Sequence, residues 1–135
     1  RVRIAMETAT VLPAFFRKGA VSTGVIISDA DAVTRDDAID VSATLTRTGN
    51  GAFIGIAHII VHDSAGHTVA SADRQLAVYR SMRPRWTLAL PPDACSDGCS
   101  VAIRLATDRH DVPRSLLLHA DPAETVVAAR RESVP

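Results

Sequence analysis

The stretch IDVSATLTRT, residues 39–48, alternates apolar and polar side chains with a period of two. Ile39, Val41, Ala43 and Leu45 fall on one side, and Asp40, Ser42, Thr44 and Thr46 on the other. Successive side chains of an extended strand point to opposite faces, so this pattern buries one face of a sheet and wets the other. VAIRLAT repeats it, with Val101, Ile103 and Leu105 directed inward, whereas no window longer than ten residues keeps the i, i+3, i+4, i+7 spacing of an amphipathic helix. Further strands are expected at VRIAMETATVL (2–12), STGVIIS (22–28), FIGIAHIIVHD (53–63), TVASADRQLAVY (68–79), RWTLALP (85–91), SLLLHA (115–120) and ETVVAAR (124–130). The breaks TGNG, DSAG, SMRP, PPDACSDG and HADPAE separate them. DADAVTRDD (29–37) reads as a long polar connection. Nine short strands in 135 residues predict an all-β chain of two packed sheets.

A chain of this length builds one core. Its 47% hydrophobic residues include only three Phe, one Tyr and one Trp, so the core is expected to be aliphatic, with Trp86 and Tyr79 its largest pieces. Trp86, Leu88 and Leu90 are expected to pack inward with Val41, Leu45, Ile103 and Leu105. Fifteen basic and fifteen acidic residues are interspersed, which leaves no basic face to follow phosphates and argues against nucleic acid as a partner. No apolar run approaches the roughly 20 residues of a membrane span. The chain starts at Arg1 without a signal-peptide pattern, as expected of a mature or excised piece.

HIIVHDSAGHTV (58–69) places His58, His62 and His67 within ten positions. On a strand, His58, Ile60 and His62 share one face and Ala57, Ile59 and Val61 the other, and the DSAG turn brings His67 near His62 across a hairpin. Zinc needs further ligands, HExxH is absent, and the nearby carboxylate of Asp63 lies in the turn. Solvated histidines on the outer face of a sheet are therefore the expectation, with no metal and no cofactor. Asp29, Asp31, Asp36 and Asp37 lack the glycine and terminal glutamate of an EF-hand loop, and a solvated loop is expected there. TGNGAFIG opens no helix and reads as a hairpin turn, with Asn50 and Gly51 as its left-handed residues. No GxSxG elbow or catalytic cysteine signature is present, so a non-enzymatic chain is expected. Cys95 and Cys99 bracket an Asp-Gly turn. A local disulfide is the first reading, with free thiols and half of a zinc site as alternatives.

Two stretches resemble the periplasmic chaperones of bacterial pilus and surface-coat assembly. VRIAMETATVLPAFFRKG is similar to the end of the chaperone's first domain, an alternating strand running into an aromatic-rich segment. LTRTGNGAFIGIAHIIVHDSAGHTVASADRQLAVYRSMRPRWTLALP looks like the second domain of the divergent chaperones, with an R-x-G-N turn, a D-x-x-G hairpin, an A-V-Y segment and an R-x-x-x-x-L-P strand in that order. The resemblance implies an immunoglobulin-like antiparallel β-sandwich over 19–135, preceded by a donor-like strand and inter-domain segment over 1–18. It implies a partner-binding row at Val2, Ile4 and Met6. Where the family holds an anchoring lysine this chain has Pro13, which leaves Arg17 and Lys18 as the nearby cations. The implied function is a non-enzymatic periplasmic or secreted chaperone that holds pilus or coat subunits by β-strand addition, with self-association through the first strand as a further possibility. The alternative is a structural or adhesive surface subunit that accepts a strand from a neighbour.

Overall fold

The computed structural model describes residues 22–107 and 123–132. Among these residues nine strands form: β1 Thr23–Thr34, β2 Ala38–Gly49, β3 Phe53–Asp63, β4 Thr68–Val78, β5 Ser81–Met82, β6 Arg85–Ala89, β7 Cys99–Thr107, β8 Ala123–Ala128 and β9 Arg130–Arg131. The expected strands at 2–12 and 115–120 lie outside the described residues. In one sheet β5 and β6 both pair with β2, followed by β1 and then β9; the other sheet has the order β4-β3-β7-β8. The chain crosses between sheets after β2, β4, β6 and β8, which produces the facing layers of an immunoglobulin-like sandwich. Pairing is antiparallel except between β1 and β9, which run parallel.

The core is where the alternation puts it. Ile39, Val41, Ala43 and Leu45 of β2 are fully buried against Ala57, Ile59 and Val61 of β3 and Val101, Ile103 and Leu105 of β7. Trp86, Leu88 and Leu90 are buried beside them. Each such Leu, Ile or Val contributes roughly 1.5–3 kcal/mol by leaving water.

The structure departs from the sequence expectations in five places. First, β1 continues through most of the supposed polar connection. A bulge sets Asp29 and Ala30 opposite one residue of β2, because Ser28 pairs with Thr44 and Asp31 with Ser42. Asp29 takes a left-handed φ of 49° there. The extra residue changes the parity of the strand, so Thr23 and Val25 face inward before the bulge and Ala32 and Thr34 after it. Second, TGNG is no hairpin but the crossover from β2 to β3. Gly49, with φ 80°, is its left-handed residue rather than Asn50 or Gly51. The N–H groups of both Asn50 and Gly51 donate to the carbonyl of Ser22, and Asn50 Oδ1 accepts from the Ser22 N–H. Third, Tyr79 is 68% exposed, because β4 ends at buried Val78 and the chain bends before the ring could turn inward. Fourth, the SMRP break contains the short strand β5, held by the pairing of Ser81 with Thr46 and Met82 with Leu45. Fifth, ETVVAAR is two strands: β8 pairs with β7, and after Ala129 the chain changes sheet to pair β9 with β1.

Candidate functional site

The β3–β4 hairpin fixes the histidines. Asp63 Oδ1 accepts from the N–H of Ala65 at 3.0 Å and of His67 at 2.9 Å, while Gly66 N donates to the Asp63 carbonyl at 3.0 Å. Gly66 supplies the left-handed residue, with φ 86°. The hydrogen bond from the His67 N–H, with that from Ala65 behind it, holds the Asp63 carboxyl below its ordinary pKa. A register shift between Val61 and His62 places Thr68 opposite His62. His67 is therefore not the cross-strand neighbour of His62, and its ring lies 3.6 Å from the Asp63 carboxylate. His58 stands further along β3, its Nδ1 2.7 Å from Asp73 Oδ1 on β4. Among the described residues no three His, Cys, Asp or Glu side chains gather where they could hold a metal ion.

The four aspartates of 29–37 are likewise dispersed. Asp31 receives two bonds from Arg130, at 3.2 and 3.0 Å, across the β1–β9 junction. This guanidinium bond holds its carboxyl below the ordinary value. Asp36 and Asp37 lie in the β1–β2 turn, where Arg35 N donates to the Ala38 carbonyl.

Cys95 and Cys99 are joined in a disulfide, with Cα atoms 5.2 Å apart. The bridged loop is wound from short turns, in which Ala94 N donates to Pro91 O, Ser96 N to Asp93 O and Gly98 N to Cys95 O. It sits at the end of the sandwich beside the β1–β2 turn and β9, enclosing an open cavity of about 560 Å³ lined by Arg35, Asp37, Asp93, Ser96 and Arg131 among others.

Partner pairing depends on sheet edges, and the two sheets differ at their two sides. On one side β9 joins β1, so the chain that leaves β8 in one sheet passes into the other. On the opposite side β4 and β6 are the outer strands of their sheets, and a groove of about 530 Å³ runs between them. Val69, Ala70 and Ala72 line it from β4, and Leu88 and Leu90 from the β6 side. An outer strand presents unpaired backbone groups to any extended chain that approaches. The alternation of TVASADRQLAV and RWTLA predicted both strands but not which neighbours they lack, because neighbour order depends on contacts between distant segments. The donor-like residues Val2, Ile4, Met6, Arg17 and Lys18 lie outside the described residues.

No protein-family model matches the sequence, and no curated protein matches it. Among solved structures, a glycosyl hydrolase family 2 member from Bacteroides cellulosilyticus DSM 14838 is similar, with a TM-score of 0.53 and 18% identity over 79% of this chain. A β-glucuronidase from glycoside hydrolase family 2 is similar over 80% of this chain, with a TM-score of 0.48 and 10% identity. The chain spans 14% of the first of these chains and 11% of the second. At such identity the first likeness shows the fold alone, an immunoglobulin-like β-sandwich.

Proposed function

We propose that this chain is a non-enzymatic protein-binding β-sandwich of the periplasmic chaperone type, which holds pilus or coat subunits by donating an extended strand. The observation that supports this reading is the self-sufficiency of the described sandwich. β2 pairs with β1 from Thr23 to Thr34, β9 adds to its other side at Val33 and Thr34, and the facing layers close over fully buried side chains of β1, β2, β3, β4 and β7. The alternating row Val2, Ile4, Met6 carries apolar side chains suited to pairing with another chain. The Cys95–Cys99 disulfide is compatible with a periplasmic or secreted location.

A second reading, a surface subunit that accepts a strand, is favoured by the groove between β4 and β6. One experiment separates them: the chain is mixed with a pilus or coat subunit that lacks its own terminal strand, and the products are sized by light scattering. The chaperone reading expects a soluble one-to-one complex that Ile4→Asp abolishes without changing the melting temperature. Polymers of this chain support the second reading, and a complex indifferent to Ile4→Asp rules out donation from the first strand.

A further inference from the structure

The outer face of the sheet that contains β1, β2 and β6 is made of hydroxyls, arginines and two aspartates. The outward side chains of β2 are Asp40, Ser42, Thr44 and Thr46, and those of β6 are Arg85 and Thr87. Cross-strand pairing sets Asp40 beside Thr87 and Ser42 beside Arg85, with Asp31 of β1 on the other side of Ser42. Arg83, in the link between β5 and β6, folds back over this face. Its Nη1 donates to Thr44 Oγ1 at 2.8 Å and its Nη2 to Ser42 Oγ at 3.3 Å.

Guanidinium groups outnumber carboxylates here. Asp31 is taken by Arg130 at 3.0 Å. Asp40, 12% exposed, takes Arg35 at 2.6 Å and the Thr87 hydroxyl at 2.7 Å. Arg83 is bonded to the two hydroxyls, and Arg85, 74% exposed, comes no nearer to Asp40 than 4.0 Å. Among the described residues, neither Arg83 nor Arg85 therefore has a carboxylate in hydrogen-bond contact. We propose that this face binds an acidic polypeptide segment, with Arg83 and Arg85 each receiving one of its carboxylates.

The chemistry of the two side chains selects the ligand. A guanidinium offers five N–H donors in a planar fork that matches a carboxylate, and Arg83 commits only part of its fork to Thr44 and Ser42. Those two bonds fix the group in advance, which lowers the ordering cost of binding. Arg83 lies over Ser42 and Thr44, while Arg85 reaches toward Asp40, two residues further along β2. Two residues of strand span about 6.8 Å, which is also the separation of side chains on one face of an extended peptide. Acids at alternate positions of an extended segment therefore reach both arginines. Asp31 and Asp40 interrupt the positive charge and would repel an unbroken run of phosphates, so the face suits spaced carboxylates and not a nucleic acid.

Fluorescence anisotropy tests this with an end-blocked, dye-labelled peptide that carries glutamate at every second position between serines and threonines. The full chain should bind it with a dissociation constant between about 10 µM and 1 mM at low ionic strength, and more weakly at about 0.5 M salt. The same peptide with glutamine for glutamate should not bind. Arg83→Gln and Arg85→Gln should each weaken binding at least about threefold without lowering the melting temperature, because both side chains are exposed. Arg104→Gln removes the same charge from the outer face of the other sheet, where Arg104 is in register with Glu124, and should change nothing. Ile4→Asp should likewise leave binding intact, which separates this site from strand donation. Absence of binding, equal binding of the glutamine peptide, indifference to residues 83 and 85, an equal loss in Arg104→Gln, loss in Ile4→Asp, or duplex DNA bound as tightly as the peptide overturns the proposal.

Discussion

Single side chains divide here into those that build the core and those that latch its surface. Leu88, 5% exposed, faces inward on β6 and was legible as such because RWTLA alternates without interruption. Leu88→Ala should cost about 2 to 5 kcal/mol of unfolding free energy in urea titration, the range for truncating a buried leucine. A loss under about 1 kcal/mol would mean that the face is misassigned. Asp31 belongs to the second group. Its carboxyl is bonded by Arg130 and titrates below the ordinary aspartate value, so the folded state binds its proton less readily than the unfolded chain does. The stabilisation is therefore present above the unfolded aspartate pKa of about 4 and is lost as pH falls through the lower folded value. Asp31→Asn should accordingly flatten the acid limb of a stability-against-pH curve and leave its slope near neutrality unchanged. An acid limb as steep as that of the unsubstituted chain would show that the pair contributes nothing. No sequence pattern links Asp31 to Arg130, because they meet only through the parallel β1–β9 pairing.

Among the elements, the sequence revealed strands wherever the parity of the alternation held, and misled where the chain changed parity or changed sheet. The bounds of β3 coincide with the expected Phe53–Asp63, since one uninterrupted pattern spans it. β1 was read short because its bulge moves the buried positions from odd to even numbers, which breaks the period on which the reading depends. The same limit explains the splitting of ETVVAAR into β8 and β9: a strand that leaves one sheet for the other keeps its extended backbone but exchanges neighbours. The loop before β7 was legible from its cysteine spacing and Asp-Gly turn alone. Closing five residues, the Cys95–Cys99 bridge restricts the unfolded chain only slightly, and loop-closure entropy gives about 2 kcal/mol. Cys95→Ser with Cys99→Ser should therefore lower stability by about that amount in denaturant titration. Loss of cooperative folding in the double variant would instead mean that the bridge organises the end of the sandwich beyond its local loop.

For the molecule as a whole, the question is whether the first eighteen residues belong to the sandwich. The expected boundary sets 1–18 apart as a donor-like segment and 19–135 as the domain. β1 opens at Thr23, fully buried, with its hydroxyl donating to the Ala52 carbonyl at 3.1 Å, and pairs from there along β2. β9 meets β1 at Val33 and Thr34, and the core between the sheets already holds Leu45, Ile59, Ile103 and Leu105 without exposure. Deletion of residues 1–18 should then leave a cooperative thermal transition within about 4 °C of that of the full chain, the shift produced by about 1 kcal/mol in a domain of this size. The shortened chain should also lose partners held through Val2, Ile4 and Met6. A large fall in the midpoint, or loss of the transition altogether, would place the first strand inside the sandwich. The row would then be structural, and strand donation would lose its support, because side chains committed to the chain's own core cannot also fill another protein's sheet.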